Sequence, residues 1–367
     1  MVQRNGYPVE EHHITTEDGY ILVVFRIPSE NSTDRNRRQP VIIQHGIQGS
    51  AGFWVLQDRK SIGLFLVDQG YDVWLPTLRG STPSTGHVSL SESDPEYWDF
   101  GLDELAHYDL VAIVEYVANV TNQKGNTIYI GHSMGSTISY IYASERSQHA
   151  KEHLKGIISL APVAFLNHIE PFVKRLILRF GPVVANSADI VGLKGTGQIQ
   201  FAENFFRKFC GQYPVVVLCD ALLKGTSGFN PKENQADMVP AFFSYYPTGV
   251  SLKVAKMYLQ NLLGGGRFAK YSYGSEENKR VYGSTTSPEY NISNINLPVL
   301  LLLGKYDYVA TEKDVDVLYK ILNSARSRGG YAIKHVLSFA HNDFVIGKKF
   351  DQLHRKLLEF MAKLRST

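Results

Sequence analysis

Short apolar segments with the length of strands alternate along much of the chain with segments of helical periodicity. Amphipathic helices are predicted at Asp103–Val117 and from about Asp351 to Leu364. Several of the strand-like segments are continuously apolar, which is typical of parallel strands covered on both faces. The alternation therefore predicts an α/β fold with a mainly parallel sheet flanked by helices. The strand-like segments are Tyr20–Ile27, Pro40–Gln44, Tyr71–Leu75, Thr127–Ile130, Gly156–Leu160, Leu297–Leu303 and Ile333–Leu337.

This alternation stops between about Ala164 and Ser287. The stretch contains amphipathic or aromatic segments at Ile169–Leu178, Phe201–Phe209, Ala241–Tyr246 and Val254–Leu263. None of them is paired with a strand-like segment. We therefore predict a core formed by residues 1–163 and 288–367, and an inserted, mostly helical cap or lid over residues 164–287.

Composition excludes several classes of protein. The chain has 367 residues, of which 44% are hydrophobic, and this is enough to form a sizeable core rather than a disordered chain. Lys and Arg number 38 against 35 Asp and Glu, so no nucleic-acid partner is expected. No apolar run approaches the ~18 residues of a membrane span. No His, Cys, Asp or Glu residues show metal-ligand spacing, so neither a metal nor another cofactor is predicted.

The first residues, Met1–Pro8, contain no apolar signal core, which fits either a cytosolic chain or a trimmed form of a targeted one. Three Asn-X-Ser/Thr triplets, at Asn31, Asn119 and Asn291, are compatible with secretion and are candidate glycosylation sites.

The most specific motif is Gly131-His-Ser-Met-Gly135, which lies between the strand-like Thr127–Ile130 and an apolar helix beginning near Met134. A strand, a sharp Gly-X-Ser-X-Gly turn and a helix are the context of a nucleophile elbow. Such a turn holds the serine in a strained conformation and exposes its hydroxyl at the carboxyl edge of the sheet. We therefore predict that Ser133 is a catalytic nucleophile.

A serine nucleophile requires a base and an orienting carboxylate, which follow in the order Asp/Glu and then His in this class of arrangement. Asp307 comes just after the strand-like Leu297–Leu303, and His341 just after Ile333–Leu337. Both are therefore expected at the same sheet edge as Ser133, with His341 as base and Asp307 as its partner. The competing interpretations are that Asp307 is only a turn residue or helix cap, and that the nearby Asp314 or Asp316 is the carboxylate. For the base, the competing residue is His335.

Acyl transfer also requires hydrogen-bond donors for the oxyanion of the tetrahedral intermediate. The backbone N–H of Met134 is one candidate, because it follows the nucleophile. The N–H of Ile47 is the other, because its loop follows the early strand Pro40–Gln44. His45 in that loop is interpreted as a structural residue that holds the loop by hydrogen bonds, with a catalytic base as the alternative.

Taken together, these segments resemble the acid lipase family of animals, which contains gastric lipase and lysosomal acid lipase. The resemblance extends over nearly the whole chain and includes the neighbourhoods of Asp307 and His341. Its other collinear segments are Asn5–Pro8, Thr16–Leu22, Gln44–Gly46, Gly70–Leu75, Tyr97–Trp98, Tyr108–Leu110, Gly131–Gly135 and Leu160–Ala164.

The resemblance implies an α/β-hydrolase core with a cap, and a serine ester hydrolase acting on acylglycerols or sterol esters. It assigns Ser133, Asp307 and His341 to the triad and the Ile47 and Met134 amides to the oxyanion hole. Where gastric and lysosomal members often have Gln, this chain has Met134, but the proposed contact uses a backbone N–H and is expected to survive.

The resemblance also implies a disulfide between Cys210 and Cys219, for which two buried free thiols are the alternative. It favours a secreted or lysosomal protein that lacks its targeting segment here, and the Tyr-Asn-X-Ser context of Asn291 agrees with this. Apolar and basic residues of the cap suggest transient contact with a lipid surface, or alternatively simple packing on the core. A short-chain carboxylesterase and a non-catalytic lipid carrier are the competing functions.

Overall fold

The computed structural model describes residues 1–28, 38–324 and 329–366, except for the side chains of residues 199–203 and 206. The candidate glycosylation site at Asn31 lies outside this part of the chain.

Within the described residues, nine strands form one sheet, in the spatial order β1-β2-β4-β3-β6-β7-β8-β9, with β5 paired to β2. The pairs β1–β2, β2–β4 and β2–β5 are antiparallel, and every pair from β4–β3 to β8–β9 is parallel. The predicted α/β class with a mainly parallel sheet is therefore confirmed. The strands are β1 (Glu10–Thr15), β2 (Tyr20–Ile27), β3 (Pro40–Gln44), β4 (Asp72–Pro76), β5 (Gly86–His87), β6 (Thr127–His132), β7 (Leu154–Leu160), β8 (Pro298–Gly304) and β9 (Tyr331–Leu337).

Helices cover both faces of this sheet. Their bounds are α1 (Ile62–Asp68), α2 (Leu102–Glu104), α3 (Leu110–Thr121), α4 (Met134–Glu145), α5 (Ser147–His153), α6 (Pro171–Ile190), α7 (Gln200–Cys210), α8 (Val215–Ser227), α9 (Val239–Phe243), α10 (Leu252–Leu263), α11 (Ser275–Tyr282), α12 (Glu312–Ser324), α13 (Asp343–Ile346) and α14 (Asp351–Arg365).

Two elements differ from the pattern-based prediction. The edge strand β1 could not be bounded from the apolar pattern, because its sequence Glu-Glu-His-His-Ile-Thr has only one apolar residue, Ile14, which is also its one buried residue. The predicted helix Asp103–Val117 is interrupted by a π-helical turn at Leu105–Asp109 and continues as α3 to Thr121. The extra residue in that turn rotates the buried face, so Ala106, Leu110 and Val114 point into the core.

Alternating residues of the central strands separate the core into two layers. On β6, Tyr129 packs in the layer that contains α3 and α4, whereas Ile128 and Ile130 pack in the layer that contains α1 and α14. All three side chains are fully buried. This two-sided burial explains why the strand reads as continuously apolar.

Between β7 and β8 the chain forms helices and loops, with only isolated bridges at Gly195–Ser251 and Ala269–Glu289. Several of its helices cover the carboxyl edge of the sheet. Cys210 at the end of α7 and Cys219 in α8 are joined by a disulfide, with a Cα–Cα distance of 5.6 Å. The alternative of two free thiols is therefore wrong for this structure.

A buried ion cluster holds the loop that follows β4 against the helical layer. Arg79 Nε donates to Asp109 Oδ1 at 2.6 Å, and Arg79 Nη2 donates to Asp18 Oδ1 at 2.8 Å. The side chains of Arg79 and Asp109 have no exposed surface. Asp109 Oδ2 also accepts the Arg79 backbone N–H at 3.0 Å. Removal of either partner leaves a buried charge without its main counter-charge.

We expect Asp109→Ala to lower the free energy of unfolding by about 3–5 kcal/mol, because the Arg79 guanidinium then stays buried beside Asp18 alone. Urea denaturation followed by circular dichroism measures this loss. Glu276→Ala, which removes an exposed ion pair with Lys279 at 3.2 Å, is the matched control and should change stability little. Equal effects of the two substitutions would contradict the assignment.

Candidate active site

The turn between β6 and α4 holds Ser133 in an unusual conformation. Ser133 has φ 52° and ψ −115°, between the last strand residue His132 and the first helix residue Met134. A positive φ is costly for a residue with a Cβ and persists only where surrounding contacts enforce it. The observed conformation is that of a nucleophile elbow, with the serine on a sharp strand-to-helix turn.

The glycines of the motif are required by close backbone contacts. A Cβ added to Gly131 would lie 2.5 Å from the carbonyl carbon of Gly135. A Cβ added to Gly135 would lie 2.7 Å from the carbonyl oxygen of Gln44, the last residue of the neighbouring strand β3. A side chain at Gly131 would push the start of α4 away from β6, and one at Gly135 would push it away from β3; either change would displace Ser133.

The structure brings the three predicted residues into one hydrogen-bonded chain. His341 Nε2 lies 2.9 Å from Ser133 Oγ, and His341 Nδ1 lies 2.8 Å from Asp307 Oδ2. An ionised carboxylate can only accept, so Nδ1–H donates to Asp307 and leaves the Nε2 lone pair to accept the serine hydroxyl hydrogen. All three residues are buried, at 6–8% exposure.

Asp307 is fixed by further contacts of its second oxygen. Oδ1 accepts the backbone N–H groups of Val309 and Ala310, both at 2.8 Å. The residue therefore caps a turn, as its alternative interpretation expected, and also contacts His341. The competitor Asp314 instead bonds to the ring of His168 at 2.8 Å, and Asp316 forms an ion pair with Lys334. The competitor His335 lies within β9.

Two contacts to the His341 loop could not be found by motif analysis. His132 Nε2 donates to the carbonyl oxygen of His341 at 2.9 Å, and burial lowers the pKa of His132 to about 3, so the ring stays neutral in mild acid. Ser227, the last residue of α8, accepts the His341 backbone N–H at 3.3 Å. The only sequence signal for His132 is its place beside Ser133 in the motif, and Ser227 has none.

The end of α8 also contacts the Asp307 loop. Gly228 has φ 99°, and a Cβ there would lie 2.0 Å from the carbonyl oxygen of Tyr306. The Asn342 amide donates to Ser227 Oγ at 2.9 Å. The end of α8, between β7 and β8, is therefore in direct contact with the loops that carry both Asp307 and His341.

The two predicted oxyanion donors lie beside the nucleophile. Ile47, Met134 and Ser133 line the same cavity. Within the described residues neither the Ile47 nor the Met134 backbone N–H has a hydrogen-bond partner. His45 is completely buried, donates from Nδ1 to the Gly46 carbonyl at 2.7 Å and accepts the Leu78 N–H at 3.1 Å, which supports the structural interpretation of this residue.

The cavity at Ser133 has a volume of about 520 Å³ and is almost entirely apolar. Helices α6 and α10 form its outer wall, and the sheet edge forms its floor. Four α6 residues that line it are also exposed to solvent to 37–63%, so this helix forms the rim. These residues are Leu176, Ile177, Phe180 and Val184.

Two candidate glycosylation sites fall within the described chain. Asn119 is exposed near the end of α3, and Asn291 is exposed in the loop before β8. Asn291 Oδ1 accepts the hydroxyl of Ser293, the third residue of the same triplet, at 2.6 Å.

Comparison with protein-family models identifies the class of protein. Residues 39–328 match the model described as the alpha/beta hydrolase fold, and residues 1–58 match the partial alpha/beta-hydrolase lipase region. Among solved structures, a putative lipase from Acinetobacter baumannii has a TM-score of 0.56 at 15% identity and covers 98% of this chain and 92% of its own. A bacterial membrane phospholipase A has a TM-score of 0.54 at 13% identity, covering 100% and 89%. These two structures support the fold alone.

Relatives by sequence narrow the class to a family. Human lipase member J is 32% identical over 97% of this chain and 96% of its own length. Lipase 1 of Drosophila melanogaster is 31% identical over 99% and 79%, and human gastric triacylglycerol lipase is 33% identical over 87% and 80%. The chain therefore belongs to the α/β-hydrolase lipase family that includes gastric triacylglycerol lipase, and it is a carboxylic ester hydrolase of the lipase type. Within the described residues no helix combines the length and apolar character that crossing a membrane requires.

Asp343, two residues after His341, is expected to make the free energy of unfolding depend on pH. Its Oδ2 accepts the Ala340 N–H at 2.6 Å, but burial outweighs this bond and raises the pKa of Asp343 to about 6. Between pH ~4 and ~6 the folded state therefore binds more protons than the unfolded state. Stability due to this group is present below pH ~4 and is lost as pH rises through ~6.

We expect Asp343→Asn to stabilise the protein more at pH 7 than at pH 4, by up to about 3 kcal/mol, since one pKa unit corresponds to about 1.4 kcal/mol. The asparagine oxygen can still accept the Ala340 N–H. Urea denaturation of both proteins at several pH values measures the difference. The same substitution of an exposed carboxyl, Glu17→Gln, should show no such trend. Parallel stability curves for Asp343→Asn and the unmodified protein would contradict the prediction.

Proposed function

We propose that Ser133, His341 and Asp307 are the catalytic triad of this ester hydrolase. The observation that carries the proposal is the pair of hydrogen bonds, 2.9 and 2.8 Å long, that joins them. Ser133 Oγ attacks the ester carbonyl carbon while His341 Nε2 takes the hydroxyl proton, and Asp307 stabilises the resulting imidazolium. Collapse of the tetrahedral intermediate breaks the C–O bond, and His341 returns the proton to the leaving alcohol.

Deacylation repeats these steps with water as the nucleophile. His341 takes a proton from water, the hydroxide attacks the acyl-serine, and the acid is released as Ser133 regains its proton. The Ile47 and Met134 amides stabilise the negative oxygen of both intermediates. Their position beside Ser133 and their lack of other partners within the described residues support this role.

The apolar cavity favours a lipid ester with a long acyl chain, such as an acylglycerol or sterol ester. A volume of about 520 Å³ with almost no polar wall leaves an acyl chain favourably buried and the ester group next to Ser133. A short-chain carboxylesterase would use the same three residues but would gain little from this cavity. A non-catalytic lipid carrier would use the cavity but would not need the serine–histidine–carboxylate geometry.

We further propose that residues 164–287 act as a cap and that α6 is the part that contacts lipid. Its Phe172 and Val183 are exposed to 63% and 61%, and they lie outside the cavity lining. Exposed apolar residues on a helix that also forms the cavity rim are suited to a lipid–water interface. Lys174 and Arg175 on the same helix line a groove beside Asp307 and supply positive charge next to the apolar surface.

Secretion or delivery to lysosomes fits the Cys210–Cys219 disulfide, since such bonds persist in oxidising compartments. The exposure of Asn119 and Asn291 agrees with this proposal, because a glycan attached to either side chain would extend into solvent.

Ser133→Ala is expected to reduce hydrolysis of an emulsified long-chain triacylglycerol by about 10⁶-fold, since it removes the nucleophile. It should also abolish labelling by an alkyl phosphonate that modifies active-site serines. Ser144→Ala in the same helix α4 is the matched control, because among the described residues its hydroxyl bonds only to the Ile141 carbonyl, at 3.1 Å. Undiminished turnover by Ser133→Ala would overturn the triad.

The same assays separate the competing functions. A lipase hydrolyses emulsified long-chain esters in preference to soluble short-chain ones, and a carboxylesterase has the reverse preference. Purified protein that binds lipid but neither hydrolyses any ester nor reacts with the phosphonate would be a carrier.

The double substitution Phe172→Ser and Val183→Ser is expected to lower activity on emulsified triacylglycerol several-fold while leaving a soluble short-chain ester unaffected. The reason is that both residues present apolar surface outside the cavity. Val88→Ser, at a 65% exposed position outside the cap, is the control. Equal losses on both substrates would instead indicate damage to the cap and would contradict a role at the interface.

A further inference from the structure

No metal site is expected from the sequence, but the structure contains a cluster of potential metal ligands. The cluster lies near the end of α4 that is remote from Ser133. Glu115 in α3 and His149 and His153 in α5 offer one carboxylate oxygen and two imidazole nitrogens. These three atoms all lie within 4.8 Å of one another. The cluster escaped sequence analysis because Glu115 lies 34 residues before His149 and only the fold brings them together.

The cluster has a buried side and an open side. His153 is 94% buried, because its exposed fraction is 6%, whereas the side chains of His149 and Glu115 are exposed to 25% and 49%. The two imidazole rings are stacked, with centroids 4.1 Å apart. His149 Nε2 lies 2.9 Å from Glu115 Oε1. An ion can therefore reach the ligand atoms from solvent while one ligand is held firmly by the core.

Hydrogen bonds on the other ring nitrogens orient both histidines as ligands. His153 Nδ1–H donates to the His149 carbonyl oxygen at 2.9 Å, which leaves the Nε2 lone pair free. No partner of His153 Nε2 is found in the described part of the chain. His149 Nδ1 lies 2.7 Å from the Tyr142 hydroxyl, which can donate to it or accept from it. Such partners fix the ring orientation of metal-bound histidines in proteins.

A neighbouring cluster with two carboxylates and one histidine provides a contrast. Asp103, His107 and Glu145 also lie close enough together to bind an ion. The Lys270 ammonium already fills that cluster, at 3.5 Å from Asp103 Oδ1 and 2.8 Å from Glu145 Oε1. At the first cluster the nearby cation, Lys124, is instead paired with Glu152 at 3.0 Å. Within the described residues, Glu115 is therefore in contact with His149 and not with the ammonium group of Lys124.

From these contacts we infer that Glu115, His149 and His153 form a binding site for a divalent transition-metal ion of the zinc type, with water completing the coordination. Two imidazoles and a carboxylate favour zinc over calcium or magnesium, which prefer oxygen ligands. Tetrahedral zinc places its ligand atoms about 3.3 Å apart. The observed spacing therefore needs only small side-chain adjustments.

The proton balance of binding is simple. In the free protein His149 Nε2–H donates to Glu115, and Nδ1 accepts the Tyr142 hydroxyl hydrogen. On binding, the neutral His149 ring transfers its hydrogen to Nδ1, which then donates to the tyrosine oxygen, and Nε2 binds the metal. The ion links α3 to α5 and thus adds a cross-link on the side of the core opposite the catalytic end of α4.

The test is equilibrium dialysis and calorimetric titration of the chelator-treated full chain with zinc chloride at pH 7.5. The Ser133→Ala variant is expected to bind zinc like the unmodified chain, because the readout does not require ester hydrolysis. The result is therefore independent of the proposed triad. We expect one zinc ion per chain and a rise in Tm with zinc concentration. Cobalt(II) should give the strong visible absorption of a tetrahedral site.

His149→Gln combined with His153→Gln should weaken zinc binding at least tenfold and remove both the Tm rise and the cobalt spectrum. Glu115→Gln, at an exposed position of α3, should weaken zinc binding in the same way, and it remains informative if the histidine variant fails to fold. His107→Gln at the lysine-filled cluster is the matched control and should bind like the unmodified chain. Absence of stoichiometric binding, or binding that is unchanged in Glu115→Gln or is lost in His107→Gln, would overturn the proposal.

Discussion

The site depends on the close approach of the β6–α4 turn to strand β3. Gly131 packs on the backbone of Gly135, and Gly135 packs on the carbonyl of Gln44, at distances that admit no side chain. This contact keeps Ser133 at φ 52° and brings its neighbour Met134 next to the Ile47 loop at the end of β3. The positions of Ser133, of the Ile47 and Met134 amides and of the cavity floor thus depend on close backbone contacts within this turn and between the turn and β3.

The helices between β7 and β8 contact the loops of the candidate site as well as its cavity. The last residue of α8, Ser227, accepts the His341 N–H, and Gly228 packs against the carbonyl of Tyr306 beside Asp307. Helices α6 and α10 close the apolar cavity above Ser133. A change in this region can therefore affect both the apolar cavity and the loops that hold His341 and Asp307.

Much of the candidate site could be predicted because parallel strands end at one edge of the sheet. Ser133, Asp307 and His341 each follow a strand-like segment that is recognisable from its composition, most clearly the continuously apolar one before Asp307. The contacts of His132 and Ser227 with the His341 loop could not be predicted, because they join elements that are distant in sequence. The π-helical turn before α3 escaped prediction because one α-helical period was assumed for the whole segment, whereas the extra residue of the turn changes the phase of the buried face.

The α/β class, the order of most strands along the chain and the residues at their carboxyl ends could be predicted from the sequence, since these follow from local patterns of apolar residues and glycines. Which side chains meet was set by the folded structure alone. It joined His341 to Ser133 across 208 residues, paired Arg79 with Asp109, and gathered Glu115 with His149 and His153. The physical reason is that hydrogen bonds and ion contacts depend on distances of a few ångströms, which are set by packing between elements rather than by spacing along the chain.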